Sequence, residues 1–141
     1  MKIYYLDLEL MEKICHKLAV AIFDKKDDPI SPFKEHEISL LESALNAARA
    51  SFDGVEKYPT LEEKAAVLWY HLNKNHPFKN GNKRISTASM LVFLHLNELW
   101  LDSGKNEMVE KSLYIANSDR TERDKVIENL RIWIKDHLTE D

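Results

Sequence analysis

The chain has 141 residues, 44% of them apolar and 31% charged, so it can bury one hydrophobic core beneath a well-solvated surface. With only three glycines and four prolines, it favours long helices over a turn-rich β fold. The net charge of −4 disfavours a general nucleic-acid-binding protein, which needs a basic surface to displace counterions from phosphates.

Cys15 is the only cysteine, so no intramolecular disulfide can form, and its apolar surroundings in sequence predict a buried, inert thiol. No apolar stretch approaches the length of a membrane span, and the first residues do not read as a signal peptide. We therefore expect a single cytoplasmic domain over residues 1–141 that contacts neither a membrane nor nucleic acid directly.

The first half of the chain predicts two amphipathic helices and a hairpin. Asp7 can cap a helix whose apolar stripe is Leu8, Met11, Ile14, Leu18 and Ile22. After a polar connection with prolines at 29 and 32, a second helix places four apolar residues on one face: Ile38, Leu41, Leu45 and Ala48. Asp53-Gly54 is a turn signal, and the residues on either side can form a short β-hairpin.

The second half predicts four more helices. Thr60 and Glu63 have capping-box spacing, and the helix that they open should stop near Asn75 because Pro77 disfavours helix just before it. Residues 85–96 are apolar almost all round, which is typical of a central buried helix. Further helices are predicted at residues 105–117 and 121–138, the latter capped by Asp119 or Thr121. Three tryptophans are interpreted as core aromatics: Trp69, Trp100 and Trp133.

Residues 76–84, which we call the 76–84 turn, carry the chemistry. Gly81 permits backbone geometry that other residues resist, and successive N–H groups at a helix start form a concave anion site. Lys83 and Arg84 add positive charge there, and Arg84 can grip a phosphate with two parallel hydrogen bonds. His76, whose imidazole can serve as a general base, could take a proton from a nucleophile. Phe78 is predicted to anchor the turn in the core.

This segment resembles the Fic/Doc signature, His-x-Phe-x-(Asp/Glu)-(Gly/Ala)-Asn-(Gly/Lys)-Arg, at every specified position except one. Residues 38–45 and 58–66 resemble the segments that precede the signature in Doc-like (death-on-curing) toxins, and residues 91–97 resemble the helix that follows it. The resemblance spans about residues 30–100 and implies an all-α, compact helical bundle. Its hairpin would be the family's flap, which aligns a target segment by strand pairing.

The resemblance also implies a role for each signature residue. His76 matches the base that deprotonates the target hydroxyl, and Arg84 matches the arginine that holds a nucleotide phosphate. Gly81 and Asn82 match the anion-binding turn, with the Asn82 side chain also reaching phosphate. Lys83 is typical of Doc-like members and favours transfer of the terminal phosphate over transfer of AMP.

The departure from the signature is Asn80, where relatives carry an Asp or Glu that holds Mg²⁺ against the phosphates. A neutral amide attracts Mg²⁺ less strongly, so the metal expectation is weakened. The site could then be slow, use another carboxylate or be inactive. The family's self-inhibitory motif, Ser/Thr-x-x-x-Glu-(Gly/Asn), is absent, and by resemblance a separate antitoxin would supply inhibition.

The function that follows is transfer of phosphate, or of AMP, from ATP to a Ser, Thr or Tyr hydroxyl on a cytoplasmic target protein, as one half of a toxin–antitoxin pair. The alternative is a degenerate Fic/Doc domain that binds nucleotide or a partner protein without catalysis. A DNA-binding helical domain is a weaker alternative because the charge is wrong. The scattered histidines, without cysteine partners, match no zinc site, and the charges at residues 120–124 are interpreted as a solvated helix face.

Overall fold

The structure is a computed structural model, which describes residues 2–140 apart from the side chain of Glu140. Its helices are α1 (Leu8–Leu10), α2 (His16–Phe23), α3 (Ile38–Ala47), α4 (Leu61–Lys74), α5 (Asn82–Leu96), α6 (Lys105–Asn117) and α7 (Arg123–His137). A π-helical turn, Met11–Cys15, joins α1 to α2, and a 3₁₀ turn, Arg120–Glu122, precedes α7. Strands β1 (Ser51–Phe52) and β2 (Val55–Glu56) pair antiparallel, as do β3 (Leu99–Leu101) and β4 (Leu138–Glu140). The all-α prediction is therefore confirmed; the two outermost residues of the predicted domain lie outside the described range.

Helix α5 is the centre of the bundle, as its apolar sequence predicts. It packs against α2, α4 and α6, and ten of its fifteen residues are buried. Its buried hydroxyls are satisfied locally, because Ser86 and Thr87 both donate to the carbonyl of Lys83, at 2.9 and 2.8 Å. Thr87 also accepts a 3.0 Å hydrogen bond from the indole of Trp69 on α4, which links the two helices through the core.

The first helical segment begins at Asp7, whose carboxylate accepts from the Leu10 N–H at 2.8 Å, as predicted. Its predicted apolar stripe is partly wrong: Ile14 is 44% exposed and Ile22 39% exposed. Met11 of that stripe is buried, and it continues in steps of four through Cys15, Ala19 and Phe23, which form the buried face. Leu8 and Leu18 are partly buried and pack against the core. The π-helical turn explains the change, because its wider turn rotates the buried face relative to a regular α-helix. Burial raises the pKa of Cys15 to about 12, which suits the predicted inert thiol.

The middle of the chain follows its local signals closely. Thr60 accepts from the Glu63 N–H at 3.2 Å and so caps α4, whose C-cap is Asn75. Asp53 and Gly54 adopt positive φ angles of 50° and 77° and close the predicted β1–β2 hairpin. At the start of α3, Ile38 is 45% exposed, whereas the rest of its predicted face is buried.

The C-terminal part contains a strand pair that the sequence analysis missed. Residues 99–101 pair with residues 138–140, and Trp100 is 50% exposed on β3, so its prediction as a core aromatic is wrong. Trp69 and Trp133 are buried as predicted. Asp119, rather than Thr121, caps the 3₁₀ turn that leads into α7, since its carboxylate accepts from the Thr121 N–H at 2.9 Å. Within residues 2–140, every helix is too short or too polar to cross a bilayer.

Candidate functional site

The 76–84 turn lies between α4 and α5 and is held in place by the packing of Phe78 and of Gly81. Phe78 is 2% exposed and packs against the rings of His16, Phe33 and His36. Gly81 has a φ of 96°, and a Cβ atom there would lie only 3.0 Å from Cγ1 of Ile30. Both the conformation and the close approach favour glycine, and the turn is therefore tightly held against the 28–33 segment.

Asn82, the first residue of α5, holds the turn from inside. Its side chain is 4% exposed, with Oδ1 accepting from the Phe78 N–H at 2.9 Å and Nδ2 donating to the Phe78 carbonyl at 2.8 Å. These two bonds fix which way the amide points. The Asn82 side chain therefore contacts the backbone of Phe78, whereas the resemblance implies a phosphate contact.

His76 stands at the end of α4 with an exposed side chain and a positive φ of 55°. Nδ2 of Asn82 lies 3.1 Å from Nδ1 of His76, and because Nδ2 is a donor, Nδ1 is the acceptor. A neutral ring in this arrangement carries its proton on Nε2. Proton uptake at Nε2 therefore requires the contact with Asn82 to be replaced, so that the proton of the neutral ring can move to Nδ1.

Arg84 is held by Asp28, a residue from the connection between α2 and α3. Its Nη1 donates to the Asp28 carbonyl at 2.6 Å, and its Nη2 lies 3.5 Å from Oδ2 of the Asp28 carboxylate. The same carboxylate accepts a 2.7 Å hydrogen bond through Oδ1 from the amide of Asn80. These interactions, with Asn80 the largest and Arg84 next, lower the pKa of Asp28 below its ordinary value, so it is ionised at neutral pH. The sequence analysis did not single out Asp28.

The turn faces a cavity of about 490 Å³, which we call the main cavity. From the turn it is lined by residues 76 and 80–84, and across from them by Asp28, Asn73, Lys74, Ala116, Asn117 and Arg120. The lining of the cavity contains one carboxylate, that of Asp28, and four basic side chains: Lys74, Lys83, Arg84 and Arg120. Such a charge balance attracts an anion.

The far wall of the main cavity depends on two cations that the sequence analysis did not assign to a site. Lys74 donates to the carbonyls of Ala116, at 3.1 Å, and of Ser118. Arg120 donates in turn to the carbonyl of Lys74 at 2.6 Å. The end of α4 is thereby tied to the end of α6. Arg120 is exposed, as predicted, and makes this contact to α4 as well.

Comparison with known proteins shows the family of the chain. The family model described as "Fic/DOC family" matches residues 5–94. This range includes Asp28, Arg84 and the whole 76–84 turn. The chain belongs to the Fic/DOC family. It is also 40% identical over 68 residues to "Toxin Doc" of Mycolicibacterium smegmatis, a stretch that covers 48% of this chain and 52% of that relative. The chain thus spans about half the length of the curated relative that it matches, and no solved structure matches it.

The hairpin of this Fic/DOC chain is anchored by a buried lysine. Lys64 on α4 is 1% exposed, and its ammonium donates to the Tyr58 carbonyl and, at 3.0 Å, to the Glu56 carboxylate of β2. At the tip of the hairpin, Phe52 and Val55 face each other across the strands and are 79% and 69% exposed. The base of the hairpin is therefore fixed, while its apolar tip meets solvent.

A second, partly buried cluster lies beside the hairpin. Arg123, at the start of α7, donates to the Tyr58 hydroxyl at 2.8 Å and to Nε2 of His71 at 3.0 Å. Arg123 is therefore a tertiary contact, which corrects the prediction that it belongs to a solvated face. Burial, followed by the charge of Arg123, lowers the pKa of His71 to about 4.

The residues of the turn fit a magnesium ion only in part. Among the described residues, no three His, Cys, Asp or Glu side chains cluster as metal ligands do. The Asn80 amide nitrogen is turned to Asp28 and Pro29, so Asn80 can offer only its carbonyl oxygen. Asp28 adds an ionised carboxylate beside it, and these two hard oxygen donors suit Mg²⁺, which usually keeps several waters and takes phosphate oxygens as further ligands.

Proposed function

We propose that this protein is a Doc-like toxin that transfers the terminal phosphate of ATP to a Ser, Thr or Tyr hydroxyl of a cytoplasmic protein. One observation carries the proposal: an exposed histidine, a glycine turn at a helix start and a largely buried arginine face one basic cavity. A base beside an anion site is the arrangement that phosphoryl transfer needs.

In the proposed reaction, the target hydroxyl oxygen forms a bond to the γ-phosphorus while the bond from that phosphorus to the β–γ bridging oxygen breaks and ADP leaves. His76 takes the hydroxyl proton at Nε2, after its Nδ1 has exchanged the contact with Asn82 for the proton of the neutral ring. Backbone N–H groups at the start of α5 and the guanidinium of Arg84 stabilise the negative charge on the phosphates. Arg84 must exchange Asp28 for phosphate, and it can do so because the Asp28 carboxylate is 60% exposed.

Lys83 supports transfer of phosphate rather than AMP within this proposal. It is exposed, lines the main cavity and stands where AMP-transferring relatives have glycine. A lysine there adds positive charge and bulk beside the turn. AMP transfer would use the same base and the same turn, with the bond breaking at the α-phosphorus instead.

Magnesium would be held by Asn80 and Asp28 in the proposed site. When bound, it would neutralise charge on the phosphate oxygens. Lys83 and Arg84 would supply the other positive charges near the phosphates.

The proposed partners are a protein target and an antitoxin. The exposed tip of the hairpin, at Phe52 and Val55, would pair with an extended segment of the target, while Lys64 keeps the base of the hairpin in place. A separate antitoxin would supply inhibition. Identity with "Toxin Doc" over 68 residues supports the toxin assignment.

A second candidate function is nucleotide or partner binding without transfer. It is favoured by the Asp28 contacts, because they engage the arginine that should bind phosphate while residue 80 carries no charge. A degenerate site of this kind would bind nucleotide and label nothing.

The experiment that separates these functions is labelling of a bacterial lysate by the purified protein with ATP labelled at either the γ- or the α-phosphate. A protein band that carries only γ-label is the expected result. A band that carries α-label would assign AMP transfer instead. Nucleotide binding with no labelled band in either reaction would assign the non-catalytic function.

A further inference from the structure

Asp28 stands at the wall between the main cavity and a second one. The side cavity has a volume of about 360 Å³ and shares Asp28, Lys83 and Arg84 with the main cavity. Its remaining wall is more apolar, with contributions from Phe23, Val109 and Leu113. The Asp28 carboxylate lies 3.5 Å from the Arg84 guanidinium. It is therefore close to any phosphate that binds to Arg84.

Asn80 fixes that carboxylate in place. Its backbone N–H donates to the Ser31 hydroxyl at 3.0 Å, and its carbonyl accepts from the same hydroxyl at 2.9 Å, so residue 80 is fastened to the segment that carries Asp28. Its side-chain nitrogen donates both to Asp28 Oδ1 and to the Pro29 carbonyl, each at 2.7 Å.

The amide at position 80 and the acid at position 28 are chemically complementary. An aspartate at position 80 could donate neither hydrogen bond and would place a second negative charge against the Asp28 carboxylate. The neutral amide of Asn80 therefore does not repel the Asp28 carboxylate, and its hydrogen bond orients that carboxylate.

We infer that Asp28 is the metal-binding carboxylate of this site, positioned by Asn80, and that it takes the role left by the missing acid at position 80. The inference rests on the proposed nucleotide-dependent function. Carboxylate oxygen is a preferred ligand of Mg²⁺, and Asp28 Oδ2, at 3.5 Å from Arg84, can still accept a ligand. Positive charge from Lys83 and Arg84 opposes a cation here until phosphates arrive, so the metal binds together with the nucleotide.

The test is calorimetric titration of the full chain with a non-hydrolysable ATP analogue, with and without MgCl₂. The variants are Asp28→Asn, Asn80→Asp and the double exchange Asp28→Asn/Asn80→Asp. Asp27→Asn is the matched control, because Asp27 is an exposed carboxylate one residue away with no such contact to the turn. Binding of Mn²⁺ in the presence of the analogue, followed by electron paramagnetic resonance, reports the metal directly. Far-ultraviolet circular dichroism confirms that each variant is folded.

We expect Mg²⁺ to tighten binding of the analogue to the wild-type protein and to the Asp27→Asn variant. Asp28→Asn should lose most of that enhancement, with Mn²⁺ affinity reduced about tenfold or more. Asn80→Asp should keep the enhancement, because a bound cation relieves the repulsion between the two carboxylates. The double exchange should restore what Asp28→Asn loses, by recreating one acid and one amide.

Three results would overturn the inference. Asp28→Asn could keep the full Mg²⁺ enhancement, which would leave Asp28 without a metal role. Asp28→Asn could instead tighten binding in the absence of metal and leave the enhancement unchanged, which would make Asp28 a competitor for Arg84. Failure of the wild-type protein to bind the analogue under any condition would contradict the proposed function as well, whereas the first two results would leave that function standing.

Discussion

The amide of Asn82 makes two hydrogen bonds to the backbone of Phe78 and places its nitrogen 3.1 Å from Nδ1 of His76. One buried side chain thus links the aromatic anchor of the 76–84 turn to the proposed base. Because the Phe78 contacts fix the orientation of the amide, they also fix which nitrogen of His76 carries the proton in the neutral ring.

Replacement of Asn82 with Ala should destabilise the protein by about 2–3 kcal/mol, because the N–H and carbonyl of Phe78 lose their partners in a buried position. Urea denaturation followed by circular dichroism measures the effect. Asn117→Ala, which removes an exposed asparagine from the opposite wall of the cavity, is the control and should change stability little. Equal stability of the two variants would show that Asn82 does not hold the turn.

Gly81→Ala should destabilise the fold by about 1–3 kcal/mol. The residue has a φ of 96°, and the new Cβ would approach three carbon atoms of Ile30 at 3.0–3.3 Å. Gly104→Ala is a matched control, because Gly104 has a negative φ of −72° and no neighbour within 4 Å of an added Cβ. If the two variants unfold at the same urea concentration, the turn is not under this constraint.

Most of the local structure could be predicted because its determinants lie within a few residues of one another. The Asp53-Gly54 turn, the Thr60 cap and the end of α4 before Pro77 are local signals, and each is found where it was predicted. The buried character of α5 likewise follows from its own sequence. Within the site, the positions of Gly81 and Phe78 in the turn follow from residue types at short spacing.

The partners of the turn could not be predicted because they come from distant parts of the chain. Asp28 contacts Arg84 across 56 positions, and Arg120 contacts Lys74 across 46. Charged residues in polar segments carry no periodic signal of such contacts. The π-helical turn was missed for a related reason, since Ile14 and Ile22 fit a regular α-helical stripe and only the packing shows that the stripe is shifted.

Lys64→Met should loosen the hairpin and destabilise the fold by about 1–3 kcal/mol, because the Tyr58 carbonyl loses its buried donor. Lys64 is the buried donor to Glu56 and to the Tyr58 carbonyl, and methionine fills similar space without either bond. Hydrogen exchange at residues 51–56 should accelerate about tenfold, which corresponds to the loss of a charge-assisted hydrogen bond. Glu56→Gln, which keeps an acceptor for Lys64, should exchange close to the wild-type rate. Unchanged exchange in Lys64→Met would show that the hairpin is held in another way.

Stability should fall in acid partly because of His71. Its folded-state pKa of about 4 lies below the ordinary value of 6.5, so the unfolded chain binds the proton more readily. The contribution is therefore fully present above pH 6.5 and is lost as the pH falls towards 4, with a loss of about 2.5 kcal/mol at pH 4.5. Urea denaturation at pH 7.5 and 4.5 should show a smaller acid loss for His71→Gln than for the wild-type protein. Parallel losses would place the acid sensitivity elsewhere.

The most direct test of the proposed reaction is the rate of γ-label transfer to lysate protein by His76→Ala, measured against the wild-type protein and His137→Ala. His137 lies at the end of α7 and does not line the cavity, so it controls for the loss of a histidine. We predict a fall of about 10²-fold or more for His76→Ala with nucleotide binding retained, and no fall for His137→Ala. Full transfer activity in His76→Ala would contradict the assignment of His76 as the base.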